Sequence, residues 1–312
     1  MKSASRLERI FDAGHFAVTT ECGPPRGTEM EVIRKKGSLL KGFVDAVNVT
    51  DNQTSVVRMS SISACVMLRE MGFDPIVQMV TRDRNRIALQ SDVLGAAALG
   101  MNNLLCLSGD HQTFGDDPEA KNVFDLDSIQ FIQLVKRMRD EGLFPSGKKI
   151  EGPPRLFIGA AANPFAEPFE IRPWRLAKKV EAGVDFIQTQ CIYNLDKFEK
   201  FMDEVRKLGL HKEVRILAGV TPLKSAGMAK FMKKNVAGMD VPDGVIKRMA
   251  DTPKEEQPAM GIQLCVESIQ RLRKVEGVAG VHVMAIEWEQ KVPEIVEKAG
   301  LLPRPRLGDE PA

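Results

Sequence analysis

The chain has 312 residues, of which 43% are hydrophobic and 28% are charged, and its 44 Lys and Arg against 42 Asp and Glu leave a formal net charge of +2. This composition is typical of a folded globular protein and excludes a long disordered scaffold. The near-balance of charge argues against a nucleic-acid-binding protein that depends on counterion release.

The N-terminal segment carries charges every few residues, and no apolar run in the chain reaches the roughly 18 residues of a membrane span. We therefore expect a cytoplasmic protein without a membrane span. The five Cys are dispersed without a CxxC pair, and the four His make no HxH or HExxH spacing. This argues against a disulfide scaffold and predicts no metal site in this chain.

Eight short apolar, β-branched runs alternate with longer stretches in which apolar residues have helical spacing. In chain order the runs are 15–21, 43–49, 75–80, 103–107, 156–161, 186–189, 215–220 and 281–286. Two of the intervals are clear helices: 174–182, which stops at Gly183, and 195–208, with one apolar stripe.

Eight strand and helix units are the number that closes a barrel, and no GxGxxG motif of a doubly wound sheet follows the first run. We predict an α/β protein consisting of a single (β/α)₈ TIM barrel over residues 1–312. A polar, Pro-containing tail is expected at 303–312.

In such barrels the chemistry lies at the carboxyl ends of the strands. Glu21 and Asp110 end the first and fourth runs and should reach one shared cavity, where one acid can stay protonated while the other is charged. Alternatively, each carboxylate caps a helix or pairs with a basic loop residue. The long loop 108–127, whose acidic stretch is 110–125, is a candidate lid or a solvated acidic insertion.

Five segments at strand ends resemble motifs of methylenetetrahydrofolate reductases. TECGPP at 20–25 resembles FEFFPP, LSGD at 107–110 resembles LRGD, and KKVEAG at 178–183 resembles RKVDAG. The TQ at 189–190 and the GVTP at 219–222, similar to the family's GILP, follow in the same order. The resemblance extends over roughly residues 10–303.

The resemblance implies a (β/α)₈ barrel that carries a flavin and reduces 5,10-methylenetetrahydrofolate to 5-methyltetrahydrofolate. By the family pattern, Glu21 is the acid that protonates N10 of the folate. Asp110 would lie near the flavin pyrimidine edge and the pterin, and Gln190 would hydrogen-bond the pterin. Thr221 and Trp288 complete the expected substrate contacts, although Trp288 at a strand end is equally compatible with packing under a helix.

The family's flavin contacts carry over to ten positions of this chain. They are Thr50, Gln78, Leu107, Ser108, Gly109, Asp110, Ala162, Asn163, Lys178 and Lys179. Without the resemblance, the two lysines are compatible with a phosphate-bearing ligand or with a solvated helix face. The cofactor is FAD by family resemblance, with FMN as the alternative.

Four departures from the family pattern accompany these matches. Ser108 replaces the Arg of LRGD, Gln78 stands where many members have His, Ala226 occupies the place of a substrate-stacking Phe, and 287–288 replaces an Asn–Arg pair. At these positions the sequence resembles the reductases of acetogenic and related anaerobes.

That resemblance implies NAD(P)H or a reduced electron carrier as donor, and a second subunit with iron–sulfur or metal centres. We also expect an oligomer. Two alternatives remain: a flavin-binding electron-transfer subunit without folate turnover, and a pterin-associated barrel that transfers a methyl group without redox chemistry.

Overall fold

The computed structural model describes residues 1–308; residues 309–312, the end of the predicted tail 303–312, lie outside the described part. Eight parallel strands form a closed barrel in which each strand pairs with its neighbours in the chain and the last pairs with the first. The prediction of a (β/α)₈ TIM barrel is confirmed.

The strands agree closely with the predicted runs, except that the second strand and the last one each begin three residues away from the predicted start. They are β1 Ala17–Cys22, β2 Ala46–Val49, β3 Pro75–Val80, β4 Asn103–Leu107, β5 Phe157–Ala162, β6 Phe186–Cys191, β7 Arg215–Val220 and β8 Val278–Val283. The run predicted at 281–286 begins three residues too late, because the strand starts with small residues that are typical of a turn. A Cβ at Gly280 would lie 2.4 Å from the Ala17 carbonyl oxygen, so the close approach of β1 requires glycine.

Each strand is followed by at least one helix on the outside of the barrel. The helices are α1 Arg6–Asp12, α2 Met30–Leu40, α3 Ser61–Glu70, α4 Arg86–Ala98, α5 Ser128–Asp140, α6 Arg172–Ala182, α7 Leu195–Lys207, α8 Ala226–Asn235, α9 Asp243–Asp251, α10 Gln257–Leu272 and α11 Val292–Lys298. Three of them, α8 to α10, lie between β7 and β8. No helix within residues 1–308 is long and apolar enough to cross a membrane.

The predicted helices α6 and α7 form because each has one apolar stripe to bury against the barrel. In α7 the buried residues are Phe198, Phe201, Met202 and Val205. Helix α6 ends at Gly183, whose φ of 105° lies in the left-handed region that favours glycine.

Helix α1 packs across the amino-terminal end of the barrel. Its Leu7, Ile10 and Phe11 join one buried cluster with Phe157 and Phe186, whose rings stack with centroids 5.2 Å apart. This cluster fills the lower barrel, so within residues 1–308 the open space along the barrel axis is at the carboxyl ends of the strands.

Above this apolar layer the inward-facing side chains become polar. Alternation along each strand directs every second side chain inward. Asn48 and Gln188 exchange two hydrogen bonds of 2.6 and 3.0 Å across the barrel, and Thr19 contacts His282. These polar side chains form the floor beneath the carboxyl-terminal face.

Candidate active site

A cavity of about 490 Å³ opens at the carboxyl ends of the strands. Its volume lies within the range of small-molecule and cofactor sites, about 300–1,000 Å³. Ten of the predicted site residues line it: Glu21, Gln78, Leu107, Ser108, Gly109, Asp110, Ala162, Asn163, Lys179 and Gln190. Residues from β1, β3, β4, β5, β6 and the segments that follow them therefore meet at one site.

The other four predicted residues lie outside the lining of this cavity. Thr50 is buried and its hydroxyl has no hydrogen-bond partner within residues 1–308. Thr221 is buried with its hydroxyl 2.8 Å from the Cys191 sulfur, and Lys178 is exposed on α6. Trp288 is half-buried against the core, and the Lys224 ammonium lies 5.8 Å from its ring centroid.

Glu21, at the end of β1, lies in a chain of polar contacts that runs down into the barrel. Its Oε1 is 3.5 Å from Nε2 of His282, whose Nδ1 is 2.9 Å from the hydroxyl of Thr19. The Gln188 amide donates to the same hydroxyl at 3.4 Å. A buried imidazole beside a carboxylate is able to exchange a proton with it, so Glu21 has a proton partner within the barrel.

His282 was not singled out from the sequence, because the predicted last strand placed it at the strand entrance. With β8 at Val278–Val283, the same residue lies at the inner end of the cavity. Side chains two residues apart in a strand point to the same side, and Met284 also lines the cavity. This alternation is the signal that would have indicated an inward-facing His282.

Asp110 lies on the opposite side of the mouth, just beyond β4. Its Oδ2 accepts a hydrogen bond of 3.2 Å from the Thr54 backbone N–H, and the Arg82 guanidinium donates to its carbonyl at 3.0 Å. The Asp110 side chain is exposed towards the mouth, whereas Arg82 is 3% exposed. The predicted carboxylate pair of Glu21 and Asp110 therefore faces one cavity, with Glu21 deeper and Asp110 at the rim.

Three cations of helix α6 line the same cavity. Arg172, Arg175 and Lys179 follow one another at helical spacing along one face, and within residues 1–308 none forms an ion pair with a carboxylate. Arg172 donates to the carbonyls of Ala166 and Glu167 at 2.6 and 2.5 Å. Of these three, Lys179 is among the predicted flavin contacts.

Lys179 is held in the cavity wall by a hydrogen bond from its ammonium to the Ala161 carbonyl. Burial, together with the neighbouring charge of Arg175, lowers the pKa of Lys179 to about 8. An ammonium that is buried without a carboxylate is stabilised by an anionic ligand, so this part of the cavity fits phosphate groups.

The cysteines contribute no reactive group to the cavity. All five thiols are buried and free, and burial raises the pKa of Cys22, Cys191 and Cys265 to about 12. Within residues 1–308 no group of three or more His, Cys, Asp and Glu side chains is placed to hold a metal ion.

Comparison with known families gives one match over nearly the whole chain. The family described as methylenetetrahydrofolate reductase matches residues 6–300. A probable NADPH-dependent methylenetetrahydrofolate reductase of Caenorhabditis elegans is 22% identical over 95% of this chain, and methylenetetrahydrofolate reductase 2 of Schizosaccharomyces pombe is 29% identical over 97%. The chain spans 44% and 48% of these two relatives, about half of their length.

A bacterial relative and a solved structure match over their full length. The 5,10-methylenetetrahydrofolate reductase of Salmonella typhimurium is 22% identical, with 93% of each chain covered. A protein from Clostridium thermocellum that binds two copies of 5-methyl-5,6,7,8-tetrahydrofolic acid superposes with a TM-score of 0.66 at 14% identity, covering 96% of this chain and 99% of that one. The structural likeness shows the shared fold.

Proposed function

This chain belongs to the methylenetetrahydrofolate reductase family, and from this premise we propose that it reduces 5,10-methylenetetrahydrofolate to 5-methyltetrahydrofolate with a flavin as cofactor. The observation that carries the proposal is the meeting of Glu21, Asp110 and Gln190 in one cavity with three cations that form no ion pair within residues 1–308. The carboxylates and the amide suit a pterin, and the cations suit the phosphates of a flavin nucleotide.

The residues present fit a flavin nucleotide. Helix α6 supplies Arg172, Arg175 and Lys179 for the phosphate end. The backbone at Gly109 passes close to β3: a Cβ there would lie 3.1 Å from Val80 Cβ, and φ is +87°. A glycine at this point lets the chain turn tightly at the wall of the cavity.

The reduced flavin, when bound, supplies the hydride that becomes part of the methyl group. Glu21 gives its proton to N10 of the folate, and the bond between N10 and the methylene carbon breaks with its electron pair on N10. The carbon stays on N5 as an iminium cation, which the hydride converts to the N5-methyl group. A positioned acid of this kind typically accelerates a reaction about 10²–10⁴-fold.

The remaining residues bind and orient the folate and the flavin. The carboxylate of Asp110 at the rim favours the cationic iminium and disfavours an anionic reduced flavin, so it links the redox potential to folate binding. Gln190 offers a donor and an acceptor to the pterin ring. His282, 3.5 Å from Glu21, returns the proton that Glu21 gives away.

The proposed electron donor is either NAD(P)H or a reduced electron carrier. In the second case, the electrons would come through the second subunit that the anaerobe-type resemblance implies. Anaerobic reduction with NADH, NADPH and dithionite in parallel separates these donors, because dithionite reduces the flavin whatever the natural donor is. Chromatography of the released flavin distinguishes FAD, the cofactor implied by the family, from FMN.

The experiment that tests the function is an anaerobic absorbance titration of the purified holoprotein. The flavin is reduced with dithionite, methylenetetrahydrofolate is added, and the absorbance of oxidised flavin is followed. We expect reoxidation with formation of one methyltetrahydrofolate per flavin. A reduced flavin that ignores the folate would contradict the proposal and favour an electron-transfer subunit; a preparation without flavin would favour methyl transfer without redox chemistry.

A further inference from the structure

Arg82, the first basic residue after β3, is buried at the point where three loops of the cavity mouth meet. Its Nε and Nη2 donate to the two carboxylate oxygens of Asp83 at 2.7 Å each. Its Nη1 donates to the Asp110 carbonyl at 3.0 Å and its Nη2 to the Asn52 carbonyl at 3.2 Å. One guanidinium therefore joins the loops that follow β2, β3 and β4.

The backbone of Arg82 ties down the loop after β4 as well. Its N–H donates to the Ser108 carbonyl at 3.0 Å, and its carbonyl accepts from the Val123 N–H at 2.7 Å. The candidate lid 108–127 is thus attached near both of its ends to the same residue. Because Arg82 itself is 3% exposed, these attachments are shielded from water.

The loop after β2 approaches Asp110 in a strained conformation. Asn52, Thr54 and Ser55 have φ values of 44°, 54° and 61°, in the left-handed region that non-glycine residues seldom adopt. A Cβ at Gly115 would lie only 2.0 Å from the Ser55 carbonyl oxygen, so the two loops interlock. Such strain persists only where surrounding contacts hold it.

This turn aims a backbone N–H at the Asp110 carboxylate. The Thr54 N–H donates to Asp110 Oδ2 at 3.2 Å, while Arg82 holds the carbonyls of both Asn52 and Asp110. Loss of the guanidinium would release the strained turn and the Asp110 backbone together.

We propose that Arg82 is a positioning residue that sets the orientation of the Asp110 carboxylate at the rim of the cavity. The Arg82 backbone N–H donates to the carbonyl of Ser108, the residue that stands where the family motif has an arginine. The inference rests on the proposed function, in which Asp110 interacts with flavin and folate.

Geometry and charge are separable at this position. Lysine retains the positive charge but lacks the planar guanidinium. It therefore cannot donate two hydrogen bonds to the Asp83 carboxylate and, at the same time, one to each of the two backbone carbonyls. Arg82→Lys therefore tests positioning, and Arg82→Gln removes the charge in addition. If Arg82→Gln does not fold, Arg82→Lys alone carries the test.

The first readout is the midpoint potential of the flavin by anaerobic dye equilibration. We expect Arg82→Lys to raise it, in the same direction as Asp110→Asn, and to lower kcat for folate about tenfold while flavin affinity stays within about threefold. Arg86→Lys is the matched control, since Arg86 binds Asp125 of the same loop with two side-chain hydrogen bonds but does not contact Asp110. An Arg82→Lys potential equal to that of wild type would overturn the proposal.

A double-mutant cycle tests whether Arg82 acts through Asp110. In the Asp110→Asn background, Arg82→Lys should lower kcat by no more than about twofold and leave the potential unchanged. Multiplicative losses of kcat would show that Arg82 acts independently of Asp110. An Arg86→Lys variant with the same potential shift as Arg82→Lys would show that the shift is not specific to Arg82. Either result would reject the assignment.

The outcomes separate this inference from the proposed function. The potentials need no folate, so a holoprotein that does not reduce folate contradicts the function but leaves the coupling of Arg82 to Asp110 measurable. If the chain retains no flavin, the rate of trypsin cleavage after Lys121 measures instead how firmly Arg82 holds the loop that follows β4. We expect at least fivefold faster cleavage in Arg82→Lys than in wild type, about the effect of 1 kcal/mol on loop opening, and equal rates would overturn the proposal.

Discussion

The two ends of the barrel differ in how completely their charges are paired. At the amino-terminal end, Asp185 is 1% exposed in its side chain and accepts from Arg139 Nη1 at 2.6 Å and from the Ile158 N–H at 2.7 Å. Asp45 is likewise paired with Arg304 and accepts from the Val18 N–H at 2.8 Å. Both of these carboxylates have a cation and a backbone donor.

At the carboxyl-terminal end Arg82 is paired with Asp83 and Arg84 with Asp51, but within the described residues the cations of α6 that line the cavity are not paired in this way. Within residues 1–308, Arg175 and Lys179 face the cavity without a carboxylate partner, and the turn around Thr54 is held in a left-handed conformation. A buried charge without a partner and a strained turn both reduce stability. The difference indicates that one end of the barrel stabilises the fold while the other is arranged for ligands.

The largest effect expected at the carboxyl-terminal end is that of Glu21→Gln. Reoxidation of reduced flavin by methylenetetrahydrofolate should slow about 10²–10⁴-fold, because the amide has no proton to give to N10. Reduction by dithionite should be unaffected. Stopped-flow measurement of the two half-reactions checks this, and a variant that retains rapid folate reduction would remove Glu21 from the role of acid.

Asp185→Asn is the corresponding change at the amino-terminal end. It should lower the free energy of unfolding by about 1.5–3 kcal/mol, because Arg139, with 4% of its side chain exposed, loses its buried partner and keeps the more exposed Asp140. Urea unfolding measures this loss. Asp12→Asn, at an exposed pair 4.0 Å from Arg215, should cost less than about 1 kcal/mol. Equal losses in the two variants would contradict the contrast between buried and exposed pairs.

Lys179→Gln and Lys178→Gln compare two adjacent lysines of α6. Lys179 lines the cavity and Lys178 is exposed, so we expect flavin affinity to fall about tenfold in the first variant and less than about threefold in the second. Equilibrium titration of the flavin-free protein with FAD and with FMN measures both. A larger loss for Lys178→Gln would place the phosphates on the outer side of the helix.

The smallest effect is a pH dependence of flavin affinity. With a pKa of about 8, Lys179 is charged below that pH and loses its proton as the pH rises through it, well before an ordinary lysine. Phosphate binding favours the charged form, so flavin affinity should be constant below pH 7 and fall severalfold between pH 8 and 9.5. The fall should be absent in Lys179→Gln, and its persistence there would assign the titration to another group.

The sequence alone predicted most of the architecture, because strands that are buried on both faces have short, continuous apolar sequences. The strands β3, β4 and β7 have the predicted bounds. Helix α7 followed from its single apolar stripe, and the end of α6 from Gly183. The displacement of β8 arose at Gly280, where the neighbouring β1 backbone dictates a residue that is typical of a turn.

The strand ends also indicated which carboxylates share the cavity, because the end of every parallel strand reaches the same face. Ten of the predicted site residues line it, while Thr50, Lys178, Thr221 and Trp288 lie outside its lining. The family resemblance confirmed by the match over residues 6–300 came from short motifs at those strand ends.

The tertiary structure alone decided which polar groups meet across the barrel. His282 reaches Glu21 only because β8 closes on β1, and those residues are 261 positions apart in the chain. Arg82 joins three loops because β2, β3 and β4 are adjacent strands. Local patterning determines secondary structure and the inward alternation of side chains, whereas contacts between distant residues depend on strand register and barrel closure, which no local pattern contains.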